Sequence, residues 1–173
     1  LGRRVGIKQP SLHNIPFVIL GGALLWFGWF GFNAGSALAC SSVAVNAFLT
    51  TNTTAAAAAV SWAAIEWALT GKATMFGTIT GAVAGLVAIT PAAGFVDTQA
   101  AIVMGVVAGA LSYFAVGHLK PKFGYDDSLD VFGVHGVCGF WGMIATGLFA
   151  QKAINSAGVD GLFYGNPGQL IVQ

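Results

Sequence analysis

Charge is what this sequence has least of. Only 8% of its 173 residues are Asp, Glu, Lys or Arg while 56% are hydrophobic, so polar side chains cannot cover a water-soluble surface and the chain belongs in a membrane. Neither sign dominates: seven basic and six acidic residues leave a formal net charge of +1. With no basic cluster interleaved with aromatics, a nucleic-acid partner is excluded. Cysteine is scarce too. Cys40 and Cys138 have neither a CxxC spacing nor a companion set of His and Cys, which argues against a metal knuckle or a disulfide framework; both read as small apolar packing residues. A secretory leader is missing: residues 1–14 are basic and polar, carry no initiator Met and lead straight into an apolar run, so the chain is expected to be truncated at its start.

What is abundant is glycine, 25 of 173 residues, which in membrane helices lets backbones approach where no hydrophobic effect drives association. Five apolar segments emerge between short polar breaks, at residues 15–39, 43–69, 74–92, 99–116 and 131–150, each suited to a helix of about 20 residues. The expectation is an all-α, polytopic membrane bundle with residues 1–173 as one membrane domain. Small residues recur at helical spacing: Gly31 and Gly35, Gly81 and Gly85, Gly105 and Gly109 are i, i+4 pairs, and Gly133, Gly136, Gly139 and Gly142 follow at i+3. Such pairs mean close helix contact, as does the alanine-rich run at 54–60. A further apolar run starts at 168–173.

If the five segments alternate in direction, Arg3, Arg4, Lys8, Lys72, Lys120 and Lys122 fall on one side and Lys152 alone on the other. The positive-inside rule then places the amino end in the cytoplasm and the carboxyl end outside. An odd helix count puts the two ends on opposite faces, as in one half of an inverted-repeat transporter. An isolated five-helix protein fits the same count.

His135 lies within 131–150, a stretch without one formal charge. An imidazole in hydrocarbon is costly unless it faces a partner or a polar path, so it is a candidate functional group, and a neighbouring helix carbonyl is the simpler partner. In the first segment Trp29, Phe32 and Ser36 stand at i, i+3 and i+7, so one face presents two rings and then a hydroxyl. Core packing or an interfacial belt produces the same stripe, but the order also suits a cation: an aromatic face attracts one by about 2 kcal/mol and a serine oxygen accepts a hydrogen bond. Taking a small cation into a dry interior costs on the order of 20 kcal/mol, which a few rings cannot offset. Water and fixed acceptors must accompany it, or its proton must be separated first. Glu66, near a helix end, is the one carboxylate the segments offer. A neutral imidazole accepts at one nitrogen and donates at the other, so it suits a small amine and gives little to an alkali ion.

Gly28-Trp29-Phe30-Gly31-Phe32-Asn33-Ala34-Gly35-Ser36-Ala37 and Asp130-Val131-Phe132-Gly133-Val134-His135-Gly136-Val137-Cys138-Gly139 resemble signature runs of the ammonium transporter, methylammonium permease and Rhesus family. The resemblance continues through Glu66-Trp67, Gly71-Lys72, the run from Ala84 to Ala92 and Gly105-Val106-Val107-Ala108-Gly109, in the family's order and closest to its bacterial-type branch. It implies a subunit of eleven helices, usually a homotrimer in the cell membrane, with a pore between two inverted five-helix repeats of which this chain would be the second. Residue by residue it implies Ser36 in the outer recruitment site, Phe32 as one gate phenylalanine, Trp29 as a pore-lining tryptophan, His135 as one of two pore histidines and Thr90 as a pore-adjacent threonine. The substrate would be ammonium or ammonia, with methylammonium as analogue, and a cytoplasmic regulatory protein is a further expected partner. No enzyme chemistry and no cofactor are implied. The family's other histidine, other gate phenylalanine, outer tryptophan and acidic residue belong to the first repeat, so this chain alone is not expected to complete a pore. His13 and His118, in polar or Lys-flanked surroundings, do not replace the missing histidine. Two other functions fit the residues: an ammonium sensor of the same fold, and a membrane subunit holding a cofactor through His135.

If Asp130 caps the last helix, His135 lies only about 7 Å along it at 1.5 Å per residue. The helix start must then sit below the membrane surface. Asp130 is accordingly expected to be buried and to accept hydrogen bonds rather than to face solvent.

Overall fold

The computed structural model describes residues 12–173. Asn14 opens α1 (Ile15–Asn33) by accepting from the Phe17 N–H at 3.1 Å, and Pro16 sits in the first turn, where its missing N–H costs nothing. Ser41, Thr74 and Asp97 cap α2 (Ser42–Thr70), α3 (Met75–Ile89) and α4 (Thr98–Phe123) in the same way, each accepting from the N–H three residues on. The last long helix, α5 (Phe132–Phe149), follows a short loop, and α6 (Gly168–Val172) ends the chain. Among the described residues every regular element is helical.

The segments departed from expectation at their ends. The first, expected to run to residue 39, leaves α-geometry at Asn33; one 3₁₀ turn (Gly35–Ala37) follows and Leu38 adopts φ +53°, a left-handed stop. The third, expected over 74–92, ends at Ile89 because Pro91 has no N–H to continue the ladder, and the Thr90 N–H already reaches back only to Val87. At 15 residues α3 is shorter than the about 20 needed to span. Among the described residues four helices are long and apolar enough to cross a membrane, and α3 is a fifth, shorter apolar helix.

The fourth runs past residue 116 to Phe123. Its ladder widens into a π turn over Ala115–Leu119, in which the Lys120 N–H donates to the Ala115 carbonyl five residues back. Pro121 would clash with the carbonyl of residue 117 in a regular α-turn, and the widened turn makes room for it. The fifth helix also opens with a π turn, Phe132–Gly136. Its cap is not Asp130, as the sequence suggested, but Asp127, whose carboxylate accepts from the N–H groups of Val131 (2.9 Å) and Phe132 (2.8 Å).

Around α2 the broadest contacts are made by α3 and α4. Gly85 of α3 and Gly105 of α4 both press on the Thr54 carbonyl, and Gly81 and Gly109 both press on that of Ala58. A Cβ at Gly85 would stand 2.6 Å from Thr54 O, and one at Gly109 2.5 Å from Ala58 O. Two of the three i, i+4 pairs are therefore close helix contacts. The third, Gly31 and Gly35, meets nothing within 4 Å. Buried threonines complete this core: Thr50 Oγ1 donates to Ala93 O at 2.8 Å and Thr54 Oγ1 to Ala101 O at 3.0 Å, so their hydroxyls are not left unpaired. Cys138 is buried as expected of a packing residue, whereas Cys40 is exposed.

Candidate functional site

α1 and α5 lie on the same side of α3, and between them runs an apolar groove of about 640 Å³ whose walls include Trp29, Val87, Thr90, Pro91, His135 and Gly139. Trp29 is fixed from behind. Its indole N–H donates to Thr90 Oγ1 at 2.8 Å, and Thr90 in turn donates to Leu86 O at 2.8 Å, one turn down α3. Both hydroxyl functions of Thr90 are thereby engaged, and the tryptophan presents its ring, not its N–H, to the groove. His135 is exposed on the opposite wall and makes no hydrogen bond among the described residues, while its neighbours Gly133 and Val134 are buried.

Phe32 packs edge-on against Trp29, with ring centroids 5.7 Å apart and planes at 72°, and remains 60% exposed. It borders a second cavity, of about 270 Å³, together with Asn33, Ser36, Thr90, Phe95 and Asn155. The two spaces meet at Thr90, which lines both. On the 3₁₀ turn, Ser36 Oγ donates to Phe32 O at 2.5 Å, so its hydrogen is spent and its lone pairs stay free to accept. Trp29, Thr90 and His135 thus line one space and Phe32, Ser36 and Thr90 the other, with Thr90 common to both. Asp130 stands apart from them, 8% exposed, and accepts from Lys120 Nζ at 2.5 Å. His13 and His118 are exposed, the latter against the rings of Tyr113 and Phe114. Arg3, Arg4 and Lys8, on which half of the positive side rests, lie outside the described residues.

Sequence reasoning missed the rim of the smaller cavity. Behind that lining, Asp97 accepts from Ala100 N–H (2.8 Å) and Gln151 Nε2 (2.8 Å), and the Gln151 N–H donates to Phe95 O at 2.8 Å, which ties the loop after α5 to the α3–α4 turn; Phe95 and Asn155 line the cavity with Ser36. Burial alone would push the Asp97 carboxyl up, but hydrogen bonds from Ala100, Gln151, Gln99 and Tyr164 outweigh it and hold the group below the usual carboxylate range. Only the helix-capping half of this cluster had a local signal, an Asp just before an apolar run.

The donor set holds no group of three or more His, Cys, Asp or Glu side chains that could bind a metal, among the described residues. What the site offers is ring faces, one imidazole and hydroxyl oxygens.

Residues 1–173 match the Ammonium Transporter Family. The chain is 57% identical over 166 residues to an ammonium transporter of Bacillus subtilis, covering 96% of this chain and 41% of that protein. With ammonium transporter Amt1 of Archaeoglobus fulgidus the identity is 49%, over 100% of this chain and 44% of the relative. The crystal structure of Mep2 from Saccharomyces cerevisiae superposes with a TM-score of 0.87 at 39% identity, covering 96% of this chain and 39% of that one. A protein described as a sensor Amt protein superposes with a TM-score of 0.85 at 34% identity, covering 95% of this chain and 40% of its own. The chain therefore spans about 40% of the length of the relatives it matches. With apolar helices of spanning length, a family match over every residue and a fold shared with Mep2, this chain is a multi-pass membrane protein and belongs to the Ammonium Transporter Family.

Proposed function

We propose that this chain supplies one wall of an ammonium-conducting pore, the second inverted repeat of a complete subunit, and that Ser36, Phe32, Trp29 and His135 act along it in that order. The observation that carries the reading is the shared wall at Thr90, which lines both the cavity of Ser36 and Phe32 and the groove of Trp29 and His135. Ser36, its own hydrogen committed, accepts an N–H from ammonium, and the ring of Phe32 adds a cation–π attraction of about 1–2 kcal/mol. Phe32, 60% exposed beside the fixed Trp29, is the gate. Past it, the Thr90 hydrogen and the Trp29 N–H are both committed, and among the described residues the groove wall holds no carboxylate for a desolvated cation. A charged species would meet a penalty on the order of 20 kcal/mol in such surroundings. The proton is therefore passed to water outside the groove, directly or by relay, and neutral ammonia passes His135 by exchanging hydrogen bonds with one imidazole nitrogen.

The rest of the subunit closes the groove from the other side, as a homotrimer in the cell membrane with the amino end of this chain cytoplasmic and its carboxyl end external. A cytoplasmic regulatory protein is a further partner of the complete molecule. The test is uptake of labelled methylammonium by the complete protein. His135→Ala should change both its rate and its discrimination against potassium; if neither moves, His135 is not in the path. The likeness to a sensor Amt protein supports a second reading, capture of ammonium coupled to a signal, and a complete protein that binds methylammonium without moving it across the membrane would favour that one.

A further inference from the structure

The two π turns of this chain face each other. Ala115–Leu119 of α4 and Phe132–Gly136 of α5 pack together, and Gly133 approaches α4 so closely that a Cβ there would stand 2.7 Å from Val116 Cγ2 and 3.3 Å from the Val116 N. One residue beyond the first turn is Lys120, and just before the second is Asp130; they are joined at 2.5 Å with side chains only 14% and 11% exposed. Asp130 also holds φ +55°, a left-handed conformation that a non-glycine residue adopts at a cost of about 1–2 kcal/mol. Its carbonyl receives the first regular bond of the helix, from the Val134 N–H at 2.9 Å. The helix cap is supplied separately by Asp127, so the ion pair is not needed to satisfy the helix end.

A half-buried ion pair contributes little net stability, because desolvation offsets most of the attraction, and its best-attested use is to select one arrangement among several. Here the arrangement selected is the backbone that leads into His135. Without Lys120, the buried Asp130 carboxylate would be left uncompensated and would turn toward water, releasing the left-handed φ. The π turn would then be free to revert to α geometry. Because a π turn holds one extra residue, that reversion rotates every later side chain of the turn by about 100° around the helix axis. His135 lies in this turn, so its ring would leave the groove wall opposite Trp29.

We infer that Lys120 is a positioning residue for conduction: its ion pair with Asp130, together with the Gly133–Val116 approach, locks the π turn that aims His135 into the groove. The inference rests on the proposed role of His135. Its test uses the complete protein in liposomes, with labelled methylammonium uptake expressed per folded molecule. Lys120→Met should lower the maximal rate at least about tenfold, while half-saturation, set at Ser36 on the 3₁₀ turn after α1, stays within about twofold. Lys120→Arg, which preserves the pair, should keep the parent rate. Gly133→Ala pushes the two turns apart with the ion pair intact and should reproduce the rate loss, and Val116→Ala in the same chain should restore part of it.

A purely structural lysine would instead reduce the amount of folded protein and leave the rate per molecule unchanged; that result, or an Arg variant as impaired as the Met variant, overturns the inference. So does Gly133→Ala at the parent rate. His135→Ala, run alongside, separates the two ideas: if it conducts like the parent, the role of His135 fails, whereas an impaired His135→Ala beside an unimpaired Lys120→Met refutes the positioning alone.

Discussion

The two sides of α3 differ in how far they close. Toward α2 and α4 the backbone is in contact with backbone, glycine against carbonyl, and the buried threonine hydroxyls are paired, although Trp62 Nε1 and Ser112 Oγ are buried without a partner among the described residues. Toward α1 and α5 such contact is local, Gly142 of α5 against the Ala88 carbonyl; beside it a groove of about 640 Å³ stays open, and its one imidazole has no partner among the described residues. Within a bilayer, where helix association rests on close van der Waals packing and on satisfied polar groups, the first side can carry more stability than the second. The comparison teaches that the tight face serves as the scaffold from which α3 presents Thr90, and that the open face is available for function because it is not needed to hold α2, α3 and α4 together.

The largest break in this comparison is a side chain on the tight face. Gly105→Val should cost about 3 kcal/mol or more and leave little folded protein, because its Cβ overlaps the Thr54 carbonyl, while Gly21→Ala, with nothing within 4 Å, should unfold at the parent temperature. Thermal unfolding in detergent compares the two. Next comes Asn46, whose Nδ2 donates to Ala93 O (3.2 Å) and Val96 O (2.9 Å) and so pins the α3–α4 turn to α2; Asn46→Ala should cost about 2 kcal/mol by taking this donor from the Val96 carbonyl, while Ala93 O keeps Thr50 Oγ1. On the open side, Thr90→Val removes the acceptor of the Trp29 indole. Its effect on stability should be near 1 kcal/mol, but methylammonium uptake should fall more than stability implies, and Thr90→Ser should recover it.

The smallest effect belongs to the rim. Asp97 is held below the usual carboxylate range, so its contribution to stability is complete above the ordinary aspartate value and is lost as pH falls through the lowered one. Between neutrality and strongly acid pH the parent should lose more unfolding temperature than Asp97→Asn, and equal losses would show that the rim network adds nothing.

How far this could be read from the residues differs between the same two regions. The tight face was legible, since Gly81, Gly85, Gly105 and Gly109 advertise close contact by spacing alone, although Gly31 and Gly35 carry the same spacing and touch nothing. Spacing reports which residues share a helix face, not whether another helix covers it. Trp29 and Phe32 were placed on one face by the helical period and meet at 5.7 Å. Thr90, 61 residues further on, had no local signal for its bond to Trp29; only the resemblance pointed to it. Helix ends were the least legible. Pro91 stops α3 through chemistry visible in the sequence, but the π turns of α4 and α5 depend on packing between residues distant along the chain. The choice of Asp127 over Asp130 as the α5 cap belongs with them: both are acidic residues before an apolar run, and in the fold Asp127 caps while Asp130 pairs with Lys120.

The most direct measurement is a structure of the complete protein with methylammonium present. The account predicts ligand density between the Trp29 ring and the His135 imidazole, in a passage continuous with the cavity at Ser36 and Phe32. A groove filled by side chains from the rest of the molecule, with His135 packed against them and the ligand absent, would contradict it.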